Sequence, residues 1–196
     1  MQVYKRIANP YMPQGTSALT NAPTPFYAPG EIGCAFYDPD TGNACARVKL
    51  DSGATAATPI GAVAAGQLAY WKDQANAIVT NDKRFCDAGA SGAINRVAGI
   101  FQLAVTAGGG VNGTDGQPLY YVCDIVINSK SFNVASDGSA LVGAQATADT
   151  TANTARVTYT TGVNTAPVSQ VVGVMLSSTV TNNKVPVQVA VGDFIA

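Results

Sequence analysis

The stretch Pro118-Leu-Tyr-Tyr-Val-Cys-Asp-Ile-Val-Ile127 follows, after Gln117, a glycine-rich run, Ala107-Gly-Gly-Gly-Val-Asn-Gly-Thr-Asp-Gly116. It is short, apolar, rich in aromatic and β-branched residues and bounded by turn formers, which reads as a strand. The same grammar recurs on both sides. Gly33–Tyr37 and Cys45–Leu50 flank the turn Asp38-Pro-Asp-Thr-Gly-Asn43 and read as a hairpin. Pro59–Ala65, Gly66–Trp71, Ala75–Asn81 and Arg96–Val105 are strand candidates upstream, with an irregular loop over 82–95. Phe132–Ala135, Ala140–Ala144, Ala155–Thr160, Val168–Ser177 and Val185–Val191 are candidates downstream. Many short strands, spaced roughly 8–12 residues apart, predict an all-β body, a β-barrel or a β-sandwich. Thr147–Ala155 is the one helix candidate, weakened by its threonines.

Composition agrees. Glutamate occurs once, at Glu31, and leucine seven times, so the usual helix formers are scarce. At 196 residues the chain is long enough to bury a core without staples. Charged residues make up 12 %, against about 25 % in a typical globular protein. There is no histidine, which removes His-based triads, Cys–His dyads and His-ligated zinc. A net charge of −1 lacks the basic excess of a nucleic-acid binder. No apolar run has the length of a membrane span, and the start Met1-Gln-Val-Tyr-Lys-Arg6 has no apolar signal region. Cys34, Cys45, Cys86 and Cys123 contain no Cys-x-x-Cys spacing. They read as buried reduced thiols, with a Cys34–Cys45 cross-hairpin disulfide as the alternative.

Residues 1–30 stand apart. Five of the ten prolines lie here, at Pro10, Pro13, Pro23, Pro25 and Pro29. Proline excludes helix interiors and central strands. The segment nevertheless carries aromatic residues, which disordered tails usually lack. It reads as an extended arm that packs on its own body or on a neighbouring subunit. Tyr4, Lys5, Arg6, Tyr11, Phe26 and Tyr27 are its candidate contact residues. Residues 31–196 form the body, either one unit or two small β modules with a break near 107–117.

No motif carries catalysis, a metal or a cofactor. The loop 107–116 lacks the lysine and following helix of a phosphate-binding loop. Asp38, Asp40 and Asn43 have calcium-loop spacing, but Lys49 stands where the last acidic ligand belongs, so a turn with Asx-type hydrogen bonds is expected. The eleven aspartates make no distinctive pair. Adjacent aromatic pairs, Phe26-Tyr27, Phe36-Tyr37, Tyr70-Trp71 and Tyr120-Tyr121, should each place one ring inward and one outward on a strand. Outward rings at Tyr70 or Trp71 and at Tyr120 or Tyr121 would make a sugar-binding platform.

There is also an internal echo. Arg96-Val-Ala-Gly-Ile100 resembles Gln170-Val-Val-Gly-Val174, and Gly66-Gln-Leu-Ala-Tyr70 resembles Gly138-Ser-Ala-Leu-Val142. The echo reads either as two related β modules or one barrel with pseudo-repeats, or as the chance recurrence of short Val/Gly/Ala motifs.

The run Gly66-Gln-Leu-Ala-Tyr-Trp-Lys72, then Ile78-Val-Thr80, then Arg96-Val-Ala-Gly-Ile-Phe101, resembles the capsid decoration (cement) proteins of tailed bacteriophages. Val187-Gln-Val189 fits their closing strand. The likeness covers Ile60–Thr106 well and Val171–Val191 loosely; the arm and Val111–Val168 exceed the family module. It implies a structural, non-enzymatic virion protein without cofactors, made in the host bacterial cytoplasm and bound to the capsid exterior. Its partners would be the major capsid protein lattice and further copies of itself, a homo-oligomer with a trimer as first candidate. The competing readings are another virion part, such as a head fibre or tail protein, and a carbohydrate-binding β-sandwich.

Overall fold

The computed structural model describes residues 17–19, 32–51, 63–81, 96–105, 120–149, 155–160 and 170–191. These form eleven strands and no helix: β1 Ser17–Leu19, β2 Ala35–Asp38, β3 Asn43–Asp51, β4 Leu68–Asp73, β5 Ile78–Thr80, β6 Val97–Phe101, β7 Tyr120–Ala135, β8 Gln145–Ala148, β9 Val157–Thr160, β10 Val171–Met175 and β11 Lys184–Ala190. The all-β expectation holds. All eleven belong to one mixed sheet, in the order β2-β3-β5-β4-β6-β7-β11-β10-β8-β9, with β1 on β7.

Three local expectations change. The described part of Thr147–Ala155 is strand β8 and its exit, not helix; β-branched Thr147 packs better on a pleated surface than in a helical turn. Ala140–Ala144 forms a turn rather than a strand, closed by Ala144 N donating to Leu141 O at 3.0 Å. The runs Pro118–Ile127 and Phe132–Ala135 fuse into the 16-residue β7. The polar link Asn128-Ser-Lys-Ser131 continues the strand because Asn128, Lys130 and Ser131 are exposed there while Ser129 turns inward. A strand with one wet face tolerates such residues.

Pairing closes on itself twice. β3 pairs β5 in parallel, β5 pairs β4, β4 pairs β6, β6 pairs β7, and β7 returns to β3. The same order runs through the second half. Ser136, the residue after β7, makes an isolated parallel bridge to Val157 of β9, β9 pairs β8, β8 pairs β10, β10 pairs β11, and β11 returns to β7. The two cycles share β7.

Matching hydrogen bonds make the correspondence residue-specific. Gln67 N donates to Ala64 O, Gly66 N to Phe101 O and Phe101 N to Gln67 O. In the second cycle Ala144 N donates to Leu141 O, Gly143 N to Met175 O and Met175 N to Ala144 O. Ala69 lies opposite Gly99, and Ala146 opposite Gly173, each beside a register shift. The sequence echo between 96–100 and 170–174 is therefore a structural one. Its other half is re-registered: Gly66 corresponds to Gly143, not Gly138.

Two cores follow. Every strand of the first cycle supplies one of them: Ala46, Val48 and Leu50 from β3, Ala69 and Trp71 from β4, Val79 from β5, Ala98 and Phe101 from β6, Cys123 and Ile125 from β7. The other core joins Val134, Ala146, Val157, Val172, Met175 and Val187 of the second cycle to Leu68, Tyr70, Val97 and Ile100 of the first. β4 thus alternates between two interiors, so Tyr70 and Trp71 are both buried, at 0 % and 4 % exposure. The expected outward ring at this pair is overturned: a strand between two cores has no wet face. The side chains of Tyr120 and Tyr121 fall outside the described ones.

Candidate functional site

Six arm residues were expected to make contacts, and Tyr4, Lys5, Arg6, Tyr11, Phe26 and Tyr27 all lie outside the described residues. What the structure places is the arm's anchor. Ser17–Leu19 pairs antiparallel with β7, Ser17 opposite Val122 and Leu19 opposite Tyr120. The sixteen residues before it are thereby attached to the strand that both cycles share.

The polar side chains of the body hold structure together. Asp38 Oδ1 accepts from Asp40 N at 3.1 Å, and its Oδ2 accepts from Thr41 Oγ1 at 2.8 Å and Gln102 Nε2 at 2.8 Å. This is the Asx-type turn expected of Asp38–Asn43, pinned to the end of β6. Among the described residues no three metal-ligating side chains converge. Arg47 Nε donates to Asp124 Oδ1 at 3.0 Å, and the guanidinium lies 5.5 Å from the centre of the Phe36 ring. Arg156 Nε donates to Asp149 Oδ2 at 2.7 Å. Asn76 donates to both carboxylate oxygens of Asp73, which holds that carboxyl below its ordinary range and orders the β4–β5 turn.

The Arg47–Asp124 pair yields a test. Asp124→Ala leaves a largely buried guanidinium without its carboxylate, and the loss should be about 2–4 kcal/mol in chemical denaturation, reduced somewhat because Arg47 keeps partial solvent access. The double variant Arg47→Met/Asp124→Leu should recover most of it. A double variant as unstable as the single would assign the loss to packing instead.

Cys34 and Cys45 are not cross-strand partners. Arg47 N donates to Cys34 O, while Cys45 lies opposite Phe36, so the two cysteines are diagonal rather than facing. Burial pushes the Cys123 thiol far up, which makes it an inert core residue.

One surface gathers exposed apolar side chains. Large apolar side chains are exposed at Leu141, Val142, Val174 and Leu176, with Val142 at 59 %. Three structural facts put them together. The turn 141–144 is hydrogen-bonded to β10 through Gly143 and Ala144. Val142 N donates to Ser178 Oγ at 3.0 Å. Val174 lies between Gln145 on β8 and Gln188 on β11. Within this row Gln145 Oε1 is buried and accepts no hydrogen bond from the described residues. Exposed apolar side chains gathered in one place are the kind of surface a docked partner covers. The sequence reading missed this face because it took 140–144 as a strand. The signal lay in aligning 141–148 with 64–71.

No family model, curated protein or solved structure matches the chain.

Proposed function

We propose that this chain is a structural virion protein that binds the outer surface of a bacteriophage capsid and stabilises it. The observation that carries the reading is the anchored arm. β1 hangs a sixteen-residue, proline-containing segment with Tyr4, Lys5, Arg6 and Tyr11 from β7, the most central strand of the body. Proline in a segment lowers the conformational entropy that is lost when a partner orders it. The charge-poor composition leaves packing and backbone pairing as the main adhesive terms, and many copies on one particle multiply weak contacts.

The residues that carry the resemblance to decoration proteins support the reading in a specific way. Gly66–Lys72, Ile78–Thr80 and Arg96–Phe101 cover β4 up to Lys72 and the whole of β5 and β6, where they supply residues to the two cores. They specify the body and leave contact to other residues. In this reading the partners are the major capsid protein lattice and other copies of the chain, and the protein is not an enzyme.

The test is occupancy on purified heads, measured by quantitative mass spectrometry. Full-length protein should be present in hundreds of copies per head. A variant lacking residues 1–16 but retaining β1 should keep the body's thermal transition and lose most of its occupancy. Full occupancy by the truncated variant would remove the arm's role, and absence of the full-length protein from heads would remove the capsid reading.

A further inference from the structure

β7 changes neighbours along one of its edges. β3 takes the other edge, opposite residues 120–128. A strand has two edges, so β1 and β6 share the one that remains. β6 lies opposite Val126 and Ile125, and β1 opposite Val122, Tyr121 and Tyr120. Both run antiparallel to β7, so the end of β6 points at the start of β1. Gln102 N donates to Asp124 O at 3.1 Å, which carries the β6 side one residue further. Continued by one more residue each, Leu103 and Thr16 would both stand opposite Cys123. One place on a strand edge takes one chain, and β6 gives way. It bends at Gln102 and Leu103 and returns as Val105, which pairs with Val63. Leu103 is left 43 % exposed, beside the point where the arm enters the sheet.

From this we infer that Leu103 is the docking point of the chain's own arm, and that Met12 is the side chain that covers it. The residues before Ser17 have no further place on β7, because Gln102 N already holds Asp124 O. They leave the sheet beside Leu103. The sequence supplies a turn for this: Met12-Pro-Gln-Gly15 has proline second and glycine fourth, the signature of the commonest β-turn. Such a turn holds its first and fourth residues within about 7 Å of each other. Gly15 is two residues from Ser17, so the turn returns Met12 to the exit point. Methionine is unbranched and adapts to an irregular apolar surface, which suits one leucine at a bend. The inference is independent of the capsid reading. It assigns residues 12–16 to the body and residues 1–11, with Tyr4, Lys5, Arg6 and Tyr11, to whatever the arm grips.

The experiment uses the full chain alone, methyl-labelled at methionine and leucine, by NMR. A nuclear Overhauser contact should join the Met12 methyl to the Leu103 methyls. Leu103→Ser, at an exposed position, should keep the wild-type thermal transition, lose that contact and speed amide exchange at Ser17–Leu19 about tenfold. Leu103→Met should restore slow exchange. Absence of the contact in wild type overturns the inference. So does unchanged exchange at Ser17–Leu19 in Leu103→Ser. A mixture of methionine-labelled and leucine-labelled chains should show no contact. One seen there would assign Met12 to a neighbouring copy and overturn the inference as well. No head or shell enters these measurements, so this inference and the capsid reading fail separately.

Discussion

Gly173→Ala is expected to cost about 3–5 kcal/mol, one of the two largest single-site losses in the body. Gly173 sits at the register shift of β10 with φ +155°. A Cβ there would lie 1.9 Å from the Gln188 carbonyl oxygen of β11 and 2.9 Å from its carbonyl carbon. Both atoms are backbone, so neither can rotate away. Relief would require β10 and β11 to separate, which breaks the ladder Gly173↔Val189, Val174↔Gln188 and Met175↔Val187. For a chain of this size each kcal/mol moves the transition by about 2–4 °C, so the midpoint should fall on the order of 10 °C. Gly143→Ala is the control. Gly143 also has positive φ, at +79°, but a Cβ there meets nothing within 4 Å. Backbone strain alone should cost about 1 kcal/mol. Thermal melts of the two variants separate sterics from strain, and equal losses would mean that β10 and β11 do not approach this closely in solution.

The glycine also shows how far the sequence could be read. The Val-x-Gly echo between 96–100 and 170–174 was visible, because a glycine inside an apolar strand run signals a bulge or a close approach. Strand content was legible for a related reason: β-branched residues between turn formers leave few other solutions. The pairing was not. That β7 serves both cycles depends on its length, and Asn128–Ser131 hid that length by resembling a turn. The double burial of Tyr70 and Trp71 was hidden likewise, since alternation shows that two faces exist but not that both are covered. The exposed apolar face was least legible. Val174 and Ile100 occupy equivalent places in similar motifs, and only the surrounding structure exposes one and buries the other.

Phe101→Ala and Met175→Ala are expected to cost about 3–5 and about 2–5 kcal/mol respectively, and to do so within one shared transition. The two residues hold the same place in the two cycles. Each is fully buried, and each donates its backbone N–H to the residue just before a strand, Gln67 before β4 and Ala144 before β8. Phe101 fills the first core and Met175 the second. Independently stable cycles would let each substitution melt its own half, giving a biphasic curve. The cores argue against that. Leu68, Tyr70, Val97 and Ile100 belong to the first cycle but pack into the second core. β7 carries residues of both, with Ile125 in one and Val126 in the other. Unfolding either cycle would strip the other of a wall, so the smallest unit that can open at low cost is the whole body. Calorimetry decides the point. Each variant should show one lower transition whose calorimetric and van't Hoff enthalpies agree. A second transition left at the wild-type temperature in either variant would establish two separately folding modules joined by a common strand.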